Sequence, residues 1–492
     1  RLVSDWSSDV CSSDLLPILI GFLLILEGLL MLPGIPFSIY YNDDDIMTLL
    51  LSGLGISFVG FLLWFFTRSK EFTEIKKRDG YLIVALGWII MSLFGSIPFI
   101  LHGSIPNFIA AFFETASGFT TTGASILTNI EALPHGLLFW RSMTHWIGGM
   151  GIIVLSLAIL PLLGIGGMQL YVAEVPGHTK DKIHPRVRET AKRLWGIYVL
   201  LTGVQTFLLL LGGMNLFDAI CHSFGTIATG GFSTKNASLG HYQSAYIDYV
   251  VLLFMFLSGV NFTLHYFALR GKIKSYWSDE EFKFYLTLIS AVAISIAAYL
   301  FLSNLYSLEE SFRHSLFTVI SLVTSTGFVT ENYEIWGPFF STLVFILLLT
   351  GACAGSTGGG VKMIRHYLLL KNGIYELKRL IHPNAIIPVR YNKKAVLPEI
   401  ISKVSAFALF YLLILAVGSL FLSFTGMDFT SAVGSVAACV GNVGPGLAET
   451  GPVMNYSNVS SMGKILLAFI MVLGRLELFT VLIIFSTSFW KK

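Results

Sequence analysis

The chain has 492 residues, of which 54% are hydrophobic, 14% aromatic and only 12% charged, with a mean hydropathy of +0.74. Soluble proteins carry roughly 25% charged residues, so this composition excludes a soluble globular domain, and a net charge of +3 leaves no basic footprint for nucleic acid. Apolar runs of about 20 residues, the length that crosses a bilayer as a helix, recur along the chain, whereas barrel strands would be short and alternating; an all-α integral membrane protein surrounded by lipid follows.

Residues 1–15 stand apart. The stretch "DWSSDVCSSDL" (Asp5–Leu15) is polar, is neither signal peptide nor helix, and equals the translation of a common sequencing-library adaptor. We read 1–15 as non-native and leave it, with Cys11, outside the functional reading. An apolar hairpin occupies 16–67, with spans Leu16–Tyr41 and Ile46–Thr67 joined by the acidic connector Asn42–Asp45. Four units follow, at 68–175, 176–275, 276–385 and 386–492. Each has a long apolar helix, a half-length apolar segment, a Gly/Thr stretch and a second long helix. The long helices are placed at Tyr81–Leu101 and Leu137–Ile165, Leu194–Gly213 and Tyr246–Leu269, Phe284–Ser303 and an interrupted Phe339–Leu370, and Ile400–Thr425 and Ile465–Trp490. The half-length segments, Phe108–Gly118, Leu216–Ile227, Phe312–Leu322 and Phe429–Cys439, are too short to cross a bilayer and read as re-entrant. Lys and Arg gather in alternate connectors (Arg68–Arg78, Lys180–Arg193, Arg270–Lys283, Lys362–Lys403) and at Lys491 and Lys492. The positive-inside rule makes these cytoplasmic and puts the Gly/Thr stretches towards the outer face.

The stretches align as "SGFTTTGAS" on Gly123, "GTIATGGFS" on Gly230, "LVTSTGFVT" on Gly327 and "VGNVGPGLA" on Gly444, with Gly441 as the competing choice in the last. Their spacing of roughly a hundred residues marks an internal repeat. Irregular backbone at membrane depth is tolerated only where it is buried in protein or lines a cavity. Four re-entrant loops on one side therefore predict one cavity on a pseudo-fourfold axis. Inward backbone carbonyls replace the hydration shell of a monovalent cation, glycine supplies the backbone angles that this requires, and half-helix C-termini bring partial negative charge. Taken alone, one such run would be a kink or a helix–helix contact; the fourfold recurrence after half-helices argues against that.

At these residues the chain resembles the membrane subunit of the bacterial Trk potassium-uptake system, in the Trk/Ktr/HKT superfamily. The resemblance runs from Leu16 to Lys492 and is carried by "FFETASGFTTTGAS" (112–125), "HWIGGMGIIVLSLAILPLLGIGGMQLY" (145–171), "GACAGSTGGGVKMIR" (351–365), "GNVGPGL" (441–447) and "GRLELFT" (474–480). It implies potassium translocation through four helix–re-entrant P-loop–helix repeats around a pore. The implied filter glycines are Gly123, Gly230, Gly327 and Gly444. Thr121, Thr122, Ala228, Thr229, Ser325, Thr326, Asn442 and Val443 would supply the ion-facing backbone. Some plant relatives have serine at the first glycine and pass sodium; Gly123 favours potassium. The resemblance also implies the bacterial cytoplasmic membrane, a homodimer and a separate cytoplasmic nucleotide-binding regulatory subunit. No nucleotide-binding domain is read in this sequence, and the basic connectors offer docking surfaces.

The second helix of the third unit is interrupted by "GACAGSTGGG", in which Gly351, Gly355, Gly358, Gly359 and Gly360 accompany Ser356 and Thr357. Each glycine weakens a helix by about 1 kcal/mol relative to Ala, so an unwound segment is expected. The resemblance places an intramembrane gate loop here; a glycine packing patch is the alternative. A phosphate-binding loop needs Gly-Lys-Ser/Thr, and Gly360 is followed by Val361. Arg475 is an intramembrane charge, functional by default. The resemblance puts it beside the gate, with Glu477 close enough to offset it and a structural ion pair as the alternative. Glu114 and Asp218 are read as shaping the outer mouth, or equally as capping or solvated groups. His178 and His184 are read as solvated, and Cys221, Cys353 and Cys439 as small buried hydrophobes.

A close alternative is a Ktr-type, sodium-stimulated subunit; the N-terminal hairpin and the "GPG" of the fourth unit favour Trk. An ion-coupled symporter for an organic solute would show inverted repeats and a side-chain-lined midplane site, whereas these units share one orientation. An enzyme would need a nucleophile–base constellation, and none is found. The resemblance implies potassium as the transported ion, and no cofactor bound by this chain is expected. Channel flow and H⁺- or Na⁺-coupled symport both stay open.

Overall fold

The computed structural model describes residues 15–67, 77–159 and 187–490. The segment 1–14 with Cys11, most of the first two basic connectors, His178, His184, the expected end of the first unit's second helix beyond Ile159, and Lys491 and Lys492 lie outside these residues. The rest is helical apart from loops and a two-stranded hairpin, Arg390–Tyr391 with Lys394–Ala395. Six described helices are long and apolar enough to cross a membrane, or up to eight if each of two bent pairs is one span.

The N-terminal hairpin packs helix Leu15–Met31 on helix Ile46–Thr67. Glycine makes this crossing possible, because a Cβ on Gly21 would meet the Gly60 carbonyl and one on Gly53 the Gly28 carbonyl, both closer than 3.0 Å. Each unit then begins with an outer helix: Lys77–Gly95, Val187–Leu211, Glu280–Leu302 and Pro398–Phe424. The half-helices are Phe108–Phe119, Leu216–Ile227, Leu308–Val323 and Phe429–Val440. Each starts on a side chain that accepts orphan backbone N–H groups: Asn107, Asn215, Ser307 in a capping box with Glu310, and Asp428. The third half-helix begins earlier than the apolar pattern indicates, because that capping box opens a polar turn ahead of Phe312.

All four second helices are interrupted, not the third alone. The first (His135–Ile159) has Gly151 at φ +70°. The second bends by 102° between Ala245–Ser258 and Phe262–Leu269, and the fourth by 110° between Ser461–Arg475 and Phe479–Phe485. The third is split into Pro338–Leu348 and Met363–Ile381.

Candidate functional site

Beyond each half-helix the chain makes the same turn. The first residues, Thr120, Ala228, Thr324 and Gly441, stay near helical angles with φ between −73° and −80°. The second, Thr121, Thr229, Ser325 and Asn442, are left-handed at φ +52°, +55°, +58° and +53°. Non-glycine residues there cost about 1–2 kcal/mol each, and such strain concentrates at functional sites. The fourth residues are Gly123, Gly231, Gly327 and Gly444, with φ of +81°, +79°, +79° and +94°.

These glycines close a ring. A Cβ on Gly123 would strike the carbonyl oxygen of Gly230, one on Gly231 that of Thr326, one on Gly327 that of Val443, and one on Gly444 that of Thr122, every contact closer than 3.0 Å. Each loop's glycine therefore abuts the third-position carbonyl of the next loop, in the order one, two, three, four and back to one. The side chains of Thr121, Thr122, Thr229, Ser325, Thr326 and Asn442 are fully buried. Thr121 Oγ1 and Asn442 Oδ1 have no hydrogen-bond partner. Above the ring lies a mouth of about 90 Å³ into which all four glycines open, together with Arg141 and Lys235.

The register of the second unit is corrected here. Gly231, not Gly230, is the counterpart of Gly123, Gly327 and Gly444, and Ala228 is the half-helix cap rather than a ring residue. Gly230 is glycine for another reason: a Cβ there would lie 2.5 Å from Cγ of His145, whose ring stacks on Phe232 at 4.0 Å. In the fourth unit Gly444 takes the position and Gly441 caps the helix.

The ascending strands are tied together around the mouth. Glu114, 1% exposed, accepts from Arg141 Nε at 2.7 Å, Ser125 Oγ at 2.9 Å and the Ile126 N–H at 2.9 Å. Arg141 also donates to the Ser233 carbonyl at 3.0 Å and stacks on Phe232, joining units one and two. The Gly240 N–H donates to the Val329 carbonyl (3.2 Å), that of Ala448 to Glu334 (2.7 Å) and that of Tyr456 to the Ser125 carbonyl (2.8 Å), which joins the remaining neighbours. Asp218 is buried against the Thr234 hydroxyl, with Lys235 Nζ at 3.6 Å. Glu114 and Asp218 are thus braces of the mouth, not solvated groups.

Beneath the ring lies the glycine-rich break of unit three. The Gly359 N–H donates to Ser325 Oγ at 2.6 Å, and Thr357 Oγ1 to the Ile227 carbonyl at 2.9 Å. Cβ atoms on Gly358 and Gly359 would press on the Thr324 and Gly441 carbonyls at 2.7 and 2.9 Å. The turns at Gly355 and Gly360 use φ of +74° and +69°, and Lys362 Nζ donates to the Gly358 carbonyl. Gly351 packs against Gly359 and Gly360, while Ser356 turns back on the Cys353 carbonyl. Arg475 donates to the Thr357 carbonyl (2.8 Å) and to those of Gly148 (2.6 Å) and Gly149 (2.9 Å), linking units four, three and one. Glu477 forms a buried ion pair with Arg365, so the offset expected of it is shared with the third unit.

Residues 50–492 match the family model described as "TrkH: Cation transport protein". The chain belongs to the TrkH family. It is 42% identical over 480 residues to the Trk system potassium uptake protein TrkH of Escherichia coli (strain K12), covering 96% of this chain and 98% of that one. Identity to the Trk system potassium uptake protein TrkG of the same organism is 37% over 476 residues, covering 96% and 97%. The crystal structure of the potassium transporter TrkH from Vibrio parahaemolyticus superposes with a TM-score of 0.87 at 39% identity, over 97% of this chain and 100% of that one.

TrkH-family proteins are multi-pass proteins of the bacterial cytoplasmic membrane, in accord with the spans seen here. In this TrkH-family chain the sequence-derived residues of units one, three and four meet in the ring, and Gly351–Gly360 and Arg475 meet below it. Sequence reasoning missed Gly231, Arg141, His145 and Arg365. Arg141 had a signal: it is a lone cation in the apolar run of a spanning helix. Gly231 had one too, because three half-helices are 12 residues long and counting from caps Asn107, Asn215 and Asp428 reaches the right glycine in each.

Proposed function

We propose that this chain carries potassium inward across the bacterial cytoplasmic membrane through the four-loop ring. The filter is Thr121-Thr122-Gly123, Thr229-Gly230-Gly231, Ser325-Thr326-Gly327 and Asn442-Val443-Gly444. The observation that carries this reading is the cyclic contact of each glycine with the next loop's carbonyl, since a closed ring of carbonyls substitutes for the water around a monovalent cation. The half-helices end on this ring and add the negative ends of their dipoles. The break at Gly351–Gly360 is the gate, and Arg475 sets a positive charge beside it that opposes cation passage. The protein works as a homodimer under a separate cytoplasmic regulatory subunit, and the pore repeats are those delimited above. Relatives named as potassium uptake proteins support the choice of ion.

The test is potassium-limited growth and rubidium uptake in a bacterium lacking its own potassium importers, with the cognate regulatory subunit present. Wild type restores growth, and Gly231→Ser lowers potassium-over-sodium selectivity as Gly327→Ser does. Unchanged selectivity in Gly231→Ser would overturn the ring register, and failure of membrane-inserted wild type to take up rubidium would overturn the potassium reading.

A further inference from the structure

One side chain outside the unit-three loop holds the chain on both sides of Thr357–Gly360. Glu281 is in the first turn of the outer helix Glu280–Leu302 and is 3% exposed. Its Oε1 accepts from the Ala354 N–H at 2.7 Å, inside the loop and ahead of Thr357, and from the Ile364 N–H at 3.0 Å, in the first turn of the helix that follows the loop. The Ile364 N–H is one of the donors that a helix start leaves without an intrahelical partner, and Lys362 at the cap position supplies no side-chain bond to helix Met363–Ile381. A carboxylate there meets the positive end of the helix dipole. Charge-assisted bonds to N–H groups are roughly twice as strong as neutral ones.

We propose that Glu281 is the positioning residue that clamps the gate shut: it pins the chain at Ala354 and Ile364, on either side of Thr357, Gly358 and Gly359, so that these stay lodged beneath the ring. This rests on reading the loop as the gate. The neighbours of Glu281 connect the clamp to the cytoplasmic face. Asp279 caps the same helix and accepts from Tyr391 Oη (3.1 Å) and Asn392 Nδ2 (3.0 Å) in the small hairpin, and the Glu280 N–H donates to Asn392 Oδ1 at 2.9 Å. Displacing the hairpin therefore pulls on the helix end that carries the clamp, which gives a regulatory partner on the cytoplasmic side a route to the gate.

The experiment measures basal rubidium uptake by the full chain without the regulatory subunit. Glu281→Ala removes both hydrogen bonds and raises uptake by about tenfold or more, since losing even one charge-assisted hydrogen bond sets a factor of that size. Glu281→Gln raises it less, because an amide oxygen still accepts both N–H groups without the charge. Potassium-over-sodium selectivity stays as in wild type, and Glu376→Gln, on the exposed face of helix Met363–Ile381, changes nothing. Removing Ser356–Gly358 tests the gate itself, and combining it with E281A adds no further uptake. If the shortened loop leaves basal uptake unchanged, the gate reading fails. If the shortened loop leaks while both Glu281 variants behave as wild type, the clamp alone is overturned. A second readout is independent of transport: with Cys11, Cys221 and Cys439 replaced by Ser, a thiol reagent modifies the buried loop residue Cys353 faster in E281A, or in E281Q if E281A is not inserted. An unchanged rate overturns the clamp.

Discussion

Two adjacent glycines in the second loop are needed for different reasons, and mutation separates them. Gly231 holds φ +79° against the Thr326 carbonyl; Ala in that conformation costs about 1–2 kcal/mol before the clash is counted. Gly230 is barred from a side chain by the His145 ring. We expect Gly231→Ala and Gly230→Ala each to lower rubidium uptake about tenfold, the factor that 1.4 kcal/mol sets. His145→Ala should recover part of the loss in G230A and none in G231A; equal behaviour of the two double variants would remove the distinction. The sequence pattern Thr-Gly pointed to the wrong glycine of the pair because it matches side chains, whereas the position is defined by backbone angle.

Among the elements, the half-helices owe their places to caps at one end and braces at the other. The brace of the first is the ion pair of Glu114 with Arg141, both nearly inaccessible. Deleting one partner of such a pair costs about 3–5 kcal/mol, because the other charge is left buried alone. Arg141→Gln should therefore lower the thermal unfolding temperature in detergent and loosen ion selectivity, since the Ser233 carbonyl loses its donor and Glu114, which holds Ser125 and Ile126, loses its charged partner. The double variant E114Q/R141Q should regain most of the stability, a non-additivity that a double-mutant cycle measures. Additive losses would mean that the pair is not coupled. Glu114 was noticed in the sequence but its partner was not, because the two meet only when the half-helix folds back against the second helix.

At the scale of the molecule, three layers of contact lie along one axis: the mouth, the ring and the loop below it. The N-terminal hairpin is outside all three and is fastened by glycine-to-backbone crossings. Gly60→Leu forces the two hairpin helices apart, since a Cβ there would meet the Gly21 carbonyl at 2.5 Å. We expect a lower unfolding temperature with potassium-over-sodium selectivity intact; altered selectivity would tie the hairpin to the filter.

The sequence by itself determined the membrane class, the N-terminal hairpin and the four outer helices, the four-unit repeat and the half-helices, because hydropathy, helix length and glycine spacing are local properties that a linear pattern records. It also marked three of the four ring glycines, the loop at Gly351–Gly360 and Arg475. Only the tertiary structure decided the order in which loops touch, the choice of Gly231 over Gly230, the breaks in the second helices of units one, two and four, and the partners of Arg141, Arg365 and Glu281. The partners named here lie from 27 to 112 positions apart, where the identity of one residue says nothing about which distant group will lie against it.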